Sequence, residues 1–132
     1  MNATPLRLQR TELQRSANFI AGAWTPAASG ASFAVTDPAT GNTITSVPDS
    51  GAADARAAVD AAQEALPAWR KLPAKQRAAI IKRWNDLVLA HQDDLGTLIS
   101  LEQGKPLAEG KGEVAYAASY IEWFGEAATR MN

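Results

Sequence analysis

The segment Leu101-Glu102-Gln103-Gly104-Lys105-Pro106-Leu107-Ala108-Glu109 is the key to the fold. Gly104 can take the left-handed backbone that ends a helix. Pro106 suits the first turn of the next helix, where its missing N–H would have no partner anyway. The run is a helix stop followed at once by a restart, with no strand between. A phosphate-cradling loop would need more glycines, set between a strand and a helix. The helix-stop reading is sufficient.

Helical spacing continues on both sides of it. Leu95, Leu98, Ile99 and Leu101 carry the helix that Gly104 ends. It starts at His91-Gln92-Asp93-Asp94, where acids are favoured by the helix dipole. Upstream, Pro73 opens a helix whose Ile80, Ile81, Trp84, Leu87 and Val88 form one apolar stripe, with Lys82, Arg83 and Asp86 mainly on the other face. Before that, Ser50 is the expected N-cap of a helix carrying Ala55, Val59, Ala62 and Leu66 up to Pro67, with Trp69 and Leu72 in the connection. Downstream, a last helix runs from about Pro106 to Arg130. Gly110 and Gly112 weaken its start by roughly 1 kcal/mol each relative to Ala. This helix has two stripes. Val114, Ala117, Ala118, Ile121 and Ala128 form one, and Tyr116, Tyr120 and Trp123 form the other. A helix apolar on both flanks is normally covered on both.

The N-terminal third has a different texture. Residues 1–16, with Leu6, Leu8 and Leu13, read as a short helix or an ordered lead-in. Phe19, Ile20, Trp24, Phe33, Val35, Ile44 and Val47 are strand-type residues separated by Gly22, Pro26, Gly30, Pro38 and Gly41. Asp37-Pro38-Ala39-Thr40-Gly41 is a turn that joins Phe33–Thr36 to Thr43–Val47 as a hairpin. The chain is therefore mostly α with a short N-terminal β-hairpin. A parallel α/β domain shows buried strands between its helices, and none is present. Either this is a small α+β domain, or its helices cover a sheet that other residues supply.

Composition narrows the chemistry. The 132 residues are 46% hydrophobic and 20% charged, in the range of a folded domain. Thirteen Lys+Arg against fourteen Asp+Glu give a net charge of −1, too little positive charge to hold a nucleic acid backbone. There is no cysteine, which excludes a disulfide framework, a thiolate zinc site and a cysteine nucleophile in this chain. No apolar run spans a bilayer, and the first residues lack a secretory signal's apolar stretch. The expected location is the cytoplasm. Glu109 and Glu113, and Glu122 and Glu126, are spaced four apart, but a di-metal bundle also needs Glu-x-x-His pairs. The single histidine, His91, lies three residues from no glutamate. A capping or surface role fits it best, and no metal site is expected. For the Tyr116, Tyr120 and Trp123 stripe, ordinary packing stands beside a sharper reading, the lining of a ligand channel.

Taken in order, several segments are similar to one family. Phe19-Ile20-Ala21-Gly22-Ala23-Trp24 resembles the opening strand of aldehyde dehydrogenases. Val35-Thr36-Asp37-Pro38-Ala39-Thr40-Gly41, with Ile44 and Val47-Pro48, resembles the family's next segment. Ala65-Leu66-Pro67-Ala68-Trp69-Arg70 resembles the family's link between its first two helices. Leu101 to Glu109, Glu113, and Tyr116-Ala117-Ala118-Ser119-Tyr120-Ile121-Glu122-Trp123-Phe124 resemble the succinate-semialdehyde branch. The resemblance runs from about Leu6 to Arg130.

It implies a Rossmann-like α/β parent, with residues 1–132 an incomplete N-terminal portion of the cofactor-binding domain. It further implies oxidation of an aldehyde to a carboxylate with NADP or NAD. A cysteine thiolate attacks the aldehyde, hydride passes to the nicotinamide, and a glutamate-activated water releases the acid. In such a parent these groups lie beyond the matched region, so the chain alone is expected to be inactive and to bind the cofactor poorly. The resemblance carries over no catalytic or cofactor residue. It places Tyr116, and after it Tyr120, at the mouth of a substrate tunnel, and it implies a homo-oligomeric parent without nucleic acid or membrane partners. The competing expectation is a stand-alone helical module that grips a protein partner with the aromatic face of its last helix.

Overall fold

A computed structural model describes residues 7–130. Leu6 of the lead-in, and Met131 and Asn132 at the other end of the chain, lie outside the described residues. Two units are distinguished: Arg15–Lys71, and a helical unit that joins residues 7–14 to residues 72–130.

In Arg15–Lys71 the strand-type residues make two antiparallel hairpins. Strand β1 (Asn18–Ile20) pairs with β2 (Ala23–Thr25), Phe19 opposite Trp24. The stretch that resembles a single opening strand is thus a hairpin. It folds back at Ala21 and Gly22, whose φ of 51° and 80° are the two left-handed residues that a tight turn matching strand twist requires. The Phe19 and Trp24 rings sit 5.0 Å apart, and the Arg15 guanidinium lies 4.8 Å over the Trp24 ring. Strand β3 (Ser32–Thr36) pairs with β4 (Thr43–Pro48), as the Asp37–Gly41 turn predicts. The Asp37 carboxylate accepts the Ala39 N–H at 2.8 Å, and Gly41 takes φ 74°.

Helix α1 (Ala52–Lys71) begins differently from the expected Ser50 cap. The Ser50 hydroxyl is engaged by the Asn18 amide at 2.7 Å. The buried Asp54 carboxylate reaches back instead, accepting the Gly51 N–H at 2.9 Å and the Ala28 N–H at 2.8 Å. One side chain so closes the helix end and ties it to the loop before β3. The sequence places the end of this helix at Pro67, but α1 continues through it to Lys71 and takes Trp69 with it. Proline removes one N–H and crowds the carbonyl four residues earlier. That carbonyl belongs to Gln63, which is exposed, so water can satisfy it.

The helical unit holds α2 (Ala74–Ala90), α3 (Gln92–Gln103) and α4 (Leu107–Ala127). The breaks between its helices fall where the sequence puts them, but α4 ends at Ala127, short of the expected Arg130, and residues 128–130 form a turn. Pro73 precedes α2, His91 breaks the chain at φ −112°, Gly104 ends α3 at φ 74°, and Pro106 precedes α4. The lead-in is a single 3-10 turn, Thr11–Leu13. It is fastened to α3 by the buried Asp94 carboxylate, which accepts the Gln9 and Arg10 N–H groups at 2.6 and 3.1 Å.

Close contact between α3 and α4 depends on two glycines. A Cβ at Gly110 would stand 2.5 Å from the Gly96 carbonyl oxygen, and one at Gly96 would stand 2.8 Å from the Lys111 N. The backbones touch here, so Gly110 is a packing requirement rather than only a weak helix former. Gly112 has open space around its α-carbon.

Few apolar side chains are enclosed. Among the described residues the buried hydrophobic ones are Ala27, Val114 and Ala118, and no large side chain is fully buried. Of the first stripe of α4, Val114 and Ala118 face inward, Ile121 and Ala128 are half-buried, and Ala117 is exposed. Ile80, Trp84 and Leu87 on α2 are exposed, as are Val59, Leu66 and Trp69 on α1.

Candidate functional site

The outer face of α4 concentrates the aromatic residues. Helical spacing puts Tyr116, Tyr120 and Trp123 on one side, with Phe124 beside them. Tyr116 is 64% exposed, Tyr120 50% and Trp123 67%. With Ser119 they line a shallow concavity of 440 Å³. The Tyr116 and Tyr120 rings meet edge to face at 5.0 Å, and their hydroxyls are 2.5 Å apart. One hydroxyl donates and the other accepts, so one phenolic proton of the pair remains to point outward. The hydrogen bond from Tyr116, with a smaller contribution from desolvation, pushes the Tyr120 phenol above its usual value. Removing the partner therefore lowers it. Tyr116→Phe is expected to shift the alkaline absorbance titration of Tyr120 to lower pH, and an unchanged titration would show that the two hydroxyls do not communicate.

The pair offers an apolar wall with a polar tip. It provides no nucleophile at neutral pH and no base with an orienting partner.

The other candidates disperse. Glu113 pairs with Lys105, and Glu126 with Arg130 at 3.5 Å. Among the described residues no three His, Asp or Glu side chains converge on a metal position. His91 Nε2 lies 3.1 Å from Arg10 Nη1. Arginine can only donate, so Nε2 is the acceptor in that contact. The Glu102–Pro106 stretch is the helix stop, its Gly104 N–H donating to the Ser100 carbonyl at 2.9 Å.

The junction from β4 to α1 is where a strand runs into a helix, and its Gly51 amide is already taken by Asp54, whose charge would repel a phosphate. Nothing in the sequence warns of the glycine crossing at Gly96 and Gly110, or of the roles of Asp54 and Asp94. All four depend on neighbours far along the chain. Only the i,i+3 reach from Gly51 to Asp54 leaves a local trace.

Known proteins share both this sequence and this backbone. Residues 24–132 match the aldehyde dehydrogenase family. The chain is 53% identical over 126 residues to glutarate-semialdehyde dehydrogenase of Pseudomonas aeruginosa, covering 96% of this chain and 26% of that protein. It is 52% identical to the succinate-semialdehyde dehydrogenase (NADP(+)) GabD of Escherichia coli, with the same coverage. A crystal structure of an E. coli NADP-dependent enzyme superposes with a TM-score of 0.93 at 52% identity, over 96% of this chain and 26% of the other. The chain thus spans about a quarter of the length of these relatives and corresponds to their N-terminal part. The reading as a protein-gripping module finds no support among them. Among the described residues no helix is long and apolar enough to cross a membrane. From its matched residues and their superposition, the chain belongs to the aldehyde dehydrogenase family.

Proposed function

We propose that residues 1–132 are the N-terminal portion of the cofactor-binding domain of an NAD(P)-dependent semialdehyde dehydrogenase of the succinate type. Its helices cover a parallel sheet that further sequence supplies. The observation that carries this is the pairing of an ordered match over 96% of the chain with apolar faces left open on α1, α2 and α4. Such faces need a cover of about their own size, and relatives four times longer have the residues to provide one.

In this reading the chain supplies scaffold and no reacting group, since it has no cysteine to form the thiolate. Tyr116 and Tyr120 line the mouth of the substrate tunnel. Their rings give an apolar wall, and the free phenolic proton gives a donor that suits an anionic or carbonyl oxygen. The assembled enzyme is a cytoplasmic homo-oligomer acting on a small aldehyde.

Two measurements test it. The purified chain, incubated with succinate semialdehyde and NADP+ or NAD+, should give no absorbance change at 340 nm above blank. Turnover would overturn the reading. A chimera that carries this chain in place of the first quarter of the E. coli enzyme should reduce NADP+ with succinate semialdehyde. A folded but inactive chimera would overturn it equally.

A further inference from the structure

Helices α2 and α4 leave an open groove of 420 Å³ between them. Gly125, where the two helices touch, is part of its lining, and a Cβ there would stand 3.1 Å from Ile81 Cγ2. Ala78 and Ala79 add two more small side chains, and Leu89 and Ile121 two large apolar ones. The charged groups of the lining favour neither sign. Lys82 pairs with Asp86 at 3.0 Å and Glu126 with Arg130 at 3.5 Å, each along its own helix, which leaves one lysine, Lys75, and one glutamate, Glu122.

Asn85 also borders the groove and is only 6% exposed. Its Oδ1 is enclosed and accepts no hydrogen bond. Folded proteins seldom leave such an atom unpaired, because it forfeits the bonds that water gives it in the unfolded chain. The other atom in this condition among the described residues, Ser100 Oγ, lies in the α3–α4 crossing, 2.8 Å from the Cβ position of Gly110. It is hemmed in by packing, whereas Asn85 has the groove beside it.

We propose that the groove seats an extended segment of main chain from the further sequence of the dehydrogenase, and that this segment bonds to the Asn85 amide. The assignment rests on the proposed function, in which the rest of the relatives' length supplies what covers these helices. A carboxamide carries the same groups as a peptide unit, a carbonyl acceptor and N–H donors, so the two can pair side by side. The end torsion of asparagine is soft, and the amide can turn to present Oδ1 to the groove. The small side chains let a main chain approach closely, and the two large ones give its side chains apolar contact. The balanced charges give an ionic ligand no advantage over a neutral backbone.

Cysteine labelling tests this, because the chain has no cysteine of its own. Ala79→Cys puts a thiol at an exposed position of the groove. In the isolated chain it should react with a maleimide about as fast as it does in urea. In the chimera with the E. coli enzyme, read by mass spectrometry on the peptide that holds position 79, it should react at least about tenfold more slowly. Adding Asn85→Leu to the chimera leaves the segment's donor without a partner and should speed the labelling at least about fivefold. In the isolated chain the same substitution should leave the labelling unchanged. An active chimera that labels at position 79 as fast as the isolated chain would overturn the proposal and leave the proposed function standing. So would protection that Asn85→Leu does not diminish, or protection of the isolated chain that grows with its concentration, which would give the groove to a second copy. Protection in a folded but inactive chimera would support the seat and count against the catalytic reading alone.

Discussion

The purified chain is expected to bind an apolar-surface dye and to melt over a broad temperature range. The expectation rests on how little of it is enclosed. Its accessible surface is 9576 Å². Two separately compact units of the same combined mass would expose about 8,100 Å². Side chains that cores normally take in stand open, among them Trp84, Trp123 and Phe124, each more than half exposed. Leaving even 400 Å² of needed apolar contact wet forgoes about 10 kcal/mol at about 25 cal/mol per Å². That equals the net stability of a typical domain. A steep, reversible melt of a monomer that binds no dye would contradict this account.

Gly110→Ala is expected to loosen α3 from α4, while Gly112→Ala, two residues on, tightens the same helix. Both substitutions gain about 1 kcal/mol of helix propensity. At Gly110 the new Cβ would stand 2.5 Å from the Gly96 oxygen and 2.8 Å from Ser100 Oγ. The first of these is backbone and cannot rotate away, so the helices must separate. Overpacking of this kind costs about 3 kcal/mol, which leaves a net loss of about 2 kcal/mol. At Gly112 nothing lies within 4 Å, and the propensity gain stands alone. Amide hydrogen exchange across α3 and α4 reads both, because it reports local opening without requiring a two-state melt. Equal protection in the two variants would show that the crossing is not limited by the Gly110 contact.

Legibility in the sequence tracks the range of the interaction involved. Gly104, Pro106, Pro73 and the Asp37–Gly41 turn are readable because each acts on its own φ or on a neighbour within a few residues. Pro67 misleads, since proline's penalty is only as large as the unsatisfied carbonyl it creates, and an exposed helix side lets water remove most of that. The aromatic residues of α4 are readable as a face, but the edge-to-face contact and shared hydrogen bond of Tyr116 and Tyr120 need the helix to be built.

Apolar periodicity and turn chemistry were enough to establish that four helices succeed a short β region, and which side of each helix is apolar. Both come from local geometry repeated along the chain. Which apolar sides are enclosed was settled only by packing. In the folded chain α3 and α4 meet at Gly96 and Gly110 and Ile81 of α2 lies against Gly125 of α4, while Ile80, Trp84 and Leu87 of the α2 stripe and the aromatic face of α4 stay open. Burial belongs to pairs of surfaces distant in sequence, and a stripe of side chains states a need for contact without naming the partner.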